Sequence, residues 1–192
     1  MVEVASRYPQ QKFLLIDALA KDKAGKLLPN VANAVFAEHE GSFLVGVVAG
    51  LKAKADRQGT VGFVGGMQFP LIEKFQAGFE QGVKAVYPEC RILVDYAGEF
   101  GNPGKGQALA AKERSQRGEA RWAIGVDKDQ YADGAYAGGK SAVLTSMMKR
   151  VDVAAHDVAA LTRDGKFPGG QVLTFALWNK GVGLPARNPN VP

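Results

Sequence analysis

The sequence has one cysteine, Cys90, in 192 residues. No disulfide can form within the chain, so its stability has to come from packed apolar surface. Histidine is almost as scarce. His39 and His156 lie far apart, and neither has a second ligand at metal-site spacing. No apolar run reaches the roughly 20 residues that a bilayer-spanning helix needs. The opening, Met1-Val2-Glu3-Val4-Ala5-Ser6-Arg7-Tyr8-Pro9, has no basic start followed by an apolar stretch, so no signal segment is expected in this chain. Basic charge is not concentrated either. The net charge is +5, but the 24 basic residues are scattered and Lys149-Arg150 is their only adjacent pair. Without a basic stripe, nucleic acid is not an expected partner.

Catalytic motifs are missing as well. Gly104-Lys105 looks like the end of a phosphate loop, but Glu99 stands where the loop needs Gly and Gly106 where it needs Ser or Thr. Gly62-Phe63-Val64-Gly65-Gly66 lacks the spacing of a dinucleotide fingerprint. His39-Glu40 has no second His for a zinc-protease helix, and no Gly-x-Ser-x-Gly elbow occurs. No residue set joins a nucleophile to its base, so no catalytic residue, metal or cofactor is expected.

What is present is an alternation. Hydrophobic residues make up 46% and charged residues 22% of the chain, the profile of a globular protein with real cores. Strands are predicted at Phe13–Asp17, Asn33–Phe36, Thr60–Gly65, Arg91–Tyr96, Ala120–Asp127 and Gln171–Leu177. Helices are predicted at Glu38–Lys54, Pro70–Val86, Pro103–Arg117 and Gly138–Arg163. In the first helix Phe43, Val47 and Leu51 recur every four residues, widened by Leu44 and Val48, as the expected apolar face. In the second the stripe is Leu71, Phe75, Phe79 and Val83. Strands alternating with crossover-length helices imply βαβ units and a mostly parallel sheet.

Ala123-Ile124-Gly125-Val126-Asp127-Lys128-Asp129-Gln130 stands out within this frame. A buried aliphatic strand ending in Asp delivers an acceptor to the carboxyl end of a parallel sheet, where open α/β sheets bind ligands. Lys149, in Leu144-Thr145-Ser146-Met147-Met148-Lys149-Arg150-Val151-Asp152, adds an ammonium on a later predicted helix. Asp accepts from hydroxyls and Lys donates, so the pair suits a sugar better than an apolar ligand. The bland alternative makes Asp127 a turn cap and Lys149 a solvated side chain. Asp17 ends a strand in the same way and could cap a turn or touch a ligand.

With these residues in view the chain resembles the basic membrane protein family, whose members include purine nucleoside receptor lipoproteins, the substrate-binding components of ABC importers. The matching segments are Leu28-Pro29-Asn30-Val31, Phe36-Ala37-Glu38-His39-Glu40-Gly41-Ser42-Phe43-Leu44-Val45-Gly46, and Val61-Gly62-Phe63-Val64-Gly65-Gly66-Met67 with Pro70-Leu71-Ile72. Phe100-Gly101-Asn102-Pro103-Gly104-Lys105-Gly106, the Asp127 and Lys149 segments, and Gly181-Val182-Gly183-Leu184 complete the set. The resemblance covers nearly all of residues 8–185.

The resemblance implies an α/β, periplasmic-binding-protein-like fold with two lobes, each a mostly parallel sheet flanked by helices, incomplete in this chain. The expected division is 1–58 for part of one lobe, 59–127 for part of the other, and 128–192 for the return to the first and a C-terminal tail. Hinges are expected near Ala55–Thr60 and Asp127–Ala132. By position, Phe100 matches the aromatic that stacks on the nucleobase, and Asp127 and Lys149 match the residues that hold the ribose; Phe100 as a loop anchor is the competing reading. Two departures stand out. The family's leading strand–helix units have no counterpart in this chain, and the Gly-rich strand–loop that the family carries before the strand ending at Asp127 is missing, Arg114 running almost directly into Ala120. The implied function is capture of a purine nucleoside for an ABC permease, at the periplasmic or cell surface, with a lipid anchor in a full-length parent. A ligand-sensing regulatory domain of the same fold is the alternative, and a nucleoside-processing enzyme is a further one.

Overall fold

A computed structural model describes residues 1–109, 122–136 and 138–191. The chain divides into two compact units, Met1–Ala37 with Lys149–Val182, and Glu38–Met148 with Gly183–Pro192.

The first unit opens with a short helix, α1 (Val2–Arg7), then β1 (Phe13–Ile16) and β2 (Val31–Phe36). Its later part holds α5 (Val151–Arg163) and β9 (Val172–Phe175). β2 lies between β1 and β9, parallel to both, with Phe13 opposite Val31 and Phe36 opposite Phe175. A central parallel strand is covered on both faces, which is why Val31-Ala32-Asn33-Ala34-Val35-Phe36 is almost wholly buried instead of alternating. Small residues make the core here: Ala5, Ala20 and Val31 are fully buried, with Phe13, Leu15 and Leu28 packed against them. Two asparagines organise the surrounding loops. Asn33 Oδ1 accepts from the Ala20 N–H at 2.7 Å, and Asn30 Nδ2 donates to the carbonyls of Ala5, Tyr8 and Gln11 at 2.9–3.1 Å. Buried amides of this kind give irregular backbone the partners it would otherwise take from water.

The second unit begins with α2 (Glu38–Ala55), β3 (Thr60–Gly65), α3 (Pro70–Val86) and β4 (Arg91–Tyr96). β3 and β4 pair in parallel over their full lengths, with α3 as the crossover between them. Pro70 opens α3, where its missing N–H costs nothing. Phe75, Phe79 and Val83 are buried, as the expected stripe requires, and Phe79 meets Phe63 of β3 at 6.1 Å. The face that α2 buries differs from the expected one. Ser42, Val45, Gly46, Ala49 and Gly50 are buried, whereas Phe43 and Leu51 are exposed. The cause is α3. A Cβ on Gly46 or on Gly82 would collide with backbone of the facing helix, and the Ser42 hydroxyl donates to the Phe75 carbonyl at 2.6 Å. Two helices this close meet through small residues, so the large ones turn away. The expected boundaries at 58 and 127 and both expected hinge segments lie within Glu38–Met148.

After β4 the chain is helical from 103 to 109 (α4), and the expected remainder of that helix lies outside the described residues. β5 (Ala123–Asp127) follows, then a short 3₁₀ turn, an antiparallel pair β6 (Ala135–Tyr136) and β7 (Lys140–Ser141), and β8 (Val143–Lys149). β5 and β8 are parallel, and β10 (Val182–Gly183) borders β8 on its other side. The helix expected over 138–163 is therefore a hairpin strand, a buried strand and only then α5. Val143-Leu144-Thr145-Ser146-Met147-Met148-Lys149 is buried at every position but Met148. A strand enclosed on both faces shows no alternation, and its Ser and Met residues imitate a helix.

Candidate functional site

Both strand-end aspartates adopt left-handed backbone. Asp17 follows the last residue of β1 with φ 63°, and Asp127 ends β5 with φ 70°. Asp tolerates this conformation better than most residues, but it is uncommon, and strained backbone gathers where a side chain must be aimed.

In the first unit, Asp17 meets Lys149. Lys149 ends β8, where the sequence reading had placed it on a helix, and its side chain is 6% exposed rather than solvated. Its ammonium pairs with Asp17 Oδ2 and stands 5.0 Å from the centre of the Phe36 ring. Phe36 ends β2 and packs on Phe175 at 5.5 Å. The ammonium is thus held by a carboxylate and by an aromatic face, both of which favour its charge. The other Asp17 oxygen, Oδ1, is buried and accepts no hydrogen bond. A buried acceptor without a partner costs about 1–3 kcal/mol.

In the second unit, Phe100 sits in the loop after β4. The residue is 63% exposed, and its ring lies against Gly66, where a Cβ would overlap it, and meets Phe69 edge-on at 6.1 Å. The loop is pinned from both sides. The Ala97 and Gly98 amides donate to Gly65 and Gly66, continuing the β3–β4 ladder. Asn102 Oδ1 accepts from the Lys105 N–H at 3.1 Å, which caps α4. Lys105 Nζ reaches Glu99 at 2.6 Å and holds the Glu99 carboxyl below its ordinary range. Phe100 is therefore both anchored at its base and open at its face. Asp127 is exposed at the end of β5.

The structure joins Asp17 to Lys149 and places Phe100 and Asp127 in the other compact unit. Among the described residues no group of three His, Cys, Asp or Glu is placed to hold a metal ion, and no helix is long and apolar enough to cross a membrane.

Each unit thus presents a carboxylate at the carboxyl end of a parallel strand, with a buried ammonium beside it in the first and an exposed aromatic ring in the second. A family model described as ABC transporter substrate-binding protein PnrA-like matches residues 1–115 and 110–192. The chain belongs to this family. A CD4+ T-cell-stimulating antigen of Listeria innocua is 36% identical over 98% of the chain. An ABC transporter nucleoside-binding protein, BmpA, of Lactococcus lactis is 35% identical over 96%. The chain spans 59% of the length of each of these two relatives. An ABC transporter solute-binding protein of Aeropyrum pernix superposes with a TM-score of 0.74 at 28% identity, over 95% of this chain and 56% of that one. The α/β architecture with parallel sheets flanked by helices is shared with these solute-binding proteins.

Within this substrate-binding family member, the sequence reading missed Phe36 and Gln130. Phe36 read only as the apolar end of a strand, and its role under Lys149 depends on β8 being a strand. Gln130 follows Asp127 by three residues, and its side-chain oxygen accepts from the Val126 N–H at 2.8 Å. A Gln so soon after a strand-end Asp was the available signal.

Proposed function

We propose that the protein captures a purine nucleoside and hands it to an ABC permease, without chemistry on the ligand. The observation that carries this reading is the Asp17–Lys149 pair, a carboxylate one-third exposed beside a fixed ammonium. A carboxylate accepts a hydrogen bond from a sugar hydroxyl, and the neighbouring ammonium donates to a second sugar oxygen. Asp127, aimed by its left-handed backbone, offers another acceptor of the same kind. The exposed ring of Phe100 supplies a flat face, and stacking of a base on an aromatic is worth about 1–3 kcal/mol. The nucleoside-binding name of the Lactococcus relative points the same way. A periplasmic or cell-surface location and a lipid anchor in a full-length parent belong to this proposal, supported by relatives named lipoproteins and basic membrane proteins.

Affinity and melting temperature of Phe100→Ala, Asp127→Ala and Lys149→Met test it together. Asp127→Ala is expected to cost about 2–4 kcal/mol of nucleoside binding, because charge-assisted hydrogen bonds are the strong kind. Lys149→Met should cost somewhat less, and the double variant less than the sum, since both groups hold one sugar. Unchanged affinity with lowered stability would make both residues structural. Turnover is a separate arm. Inosine incubated with the protein, with or without phosphate, is expected to release no hypoxanthine above background, and steady release would move the assignment to an enzyme.

A further inference from the structure

We propose that Gln130 is a positioning residue for Asp127, setting the direction of its carboxylate without touching the ligand. The inference rests on Asp127 being a ligand residue. β5 stops its ladder at Asp127, whose φ of 70° swings the following peptide out of the sheet. A turn made this way is held only if the freed backbone groups find partners. Gln130 ties the turn at both ends. Its side-chain Oε1 accepts from the Val126 N–H at 2.8 Å, immediately before Asp127. Its own backbone N–H donates to Ser146 Oγ at 3.0 Å, on a fully buried residue of β8, the strand paired with β5. The Lys128 N–H closes the turn on the Val126 carbonyl at 2.9 Å.

The neighbouring glycine fits this role. A Cβ on Gly125 would run into Gln130 Oε1, Gln130 Cβ and Ser146 Oγ, so the Gln side chain fills the space over the strand end. Lys128 is drawn aside to Asp133 at 3.0 Å and lowers the Asp133 carboxyl below its usual range. Asp127 is therefore exposed, in a turn whose flanking backbone groups are bonded. Losing one acceptor loosens the turn and spreads the carboxylate over several directions.

A double-mutant cycle on the whole chain tests this, with inosine as the probe. Gln130→Met keeps the volume and removes the oxygen. It is expected to weaken inosine binding about tenfold in the wild-type background, the worth of one hydrogen bond. In the Asp127→Ala background the same substitution should change affinity less than about twofold, because no carboxylate is left to aim. Multiplying effects, or unchanged affinity in Gln130→Met, would overturn the positioning role. An Asp127→Ala variant that binds inosine as tightly as wild type would instead overturn the ligand role on which the inference stands. Hydrogen exchange of the Val126 amide reads the bond directly. Protection in wild type that is lost in Gln130→Met supports it, and rapid exchange in wild type contradicts it.

Discussion

Asn30 directs one side-chain NH₂ group at three backbone carbonyls, those of Ala5, Tyr8 and Gln11. It thereby ties α1 and the loop after it to the start of β2. Asn30→Asp replaces that donor with an acceptor facing three acceptors. A loss of about 3 kcal/mol in chemical denaturation is expected, at the upper end for an unmet buried polar group. Lys149→Met strips the partner from Asp17 and the cation from Phe36. A fully buried pair broken this way loses about 3–5 kcal/mol, but Asp17 is a third exposed, so about 2 kcal/mol is expected here. Glu99 shows the opposite extreme, a surface carboxylate whose titration is shifted by Lys105. Its folded value lies below its unfolded one, so the pair's contribution is present above the ordinary carboxylate range. It is lost as pH falls through the lowered value. Lys105→Met should return Glu99 to the ordinary range in a carbon-detected NMR titration, and an unmoved Glu99 would show that Lys105 is not the cause. The strand-end positions of Asp17 and Asp127 were legible in the sequence because aliphatic runs ended there. The partner of Asp17 was not, since Lys149 reaches it across 132 positions of chain.

Elements with strong local punctuation read off the sequence closely. Thr60–Gly65, Pro70–Val86 and Arg91–Tyr96 are bounded by Gly, Pro and a Pro-Glu turn, and the structure keeps those bounds. β8 was not legible, because a strand buried on both faces carries neither period. The buried face of α2 was hidden for a different reason. Sequence periodicity weighs large apolar residues, whereas the contact with α3 selects for small ones. Gly82→Ala tests that contact. A helical Gly→Ala change in open solvent gains about 1 kcal/mol. Here the added Cβ meets the Phe43 carbonyl and the Val47 N–H of α2, and backbone cannot step aside as a side chain can. A net loss of about 2 kcal/mol is expected, with overpacking outweighing propensity. A melting temperature raised by Gly82→Ala would show that the two helices are farther apart than described.

At the scale of the molecule, the two compact units carry the candidate residues separately, Asp17 and Lys149 in one, Phe100 and Asp127 in the other. A ligand that binds the folded chain and not the unfolded one stabilises it by mass action, about 2.7 kcal/mol at a hundred times Kd. A purine nucleoside should therefore raise the melting temperature in a concentration-dependent way. The central claim, recognition of base and sugar together, is tested most directly by titration calorimetry with adenosine, guanosine, inosine, ribose and the free bases. The account predicts purine nucleoside binding at a micromolar Kd or tighter, about −8 kcal/mol, and far weaker binding of ribose and of each base alone. Ribose binding as tightly as the nucleosides would remove the stacking role of Phe100, and no heat from any of them would contradict the nucleoside assignment.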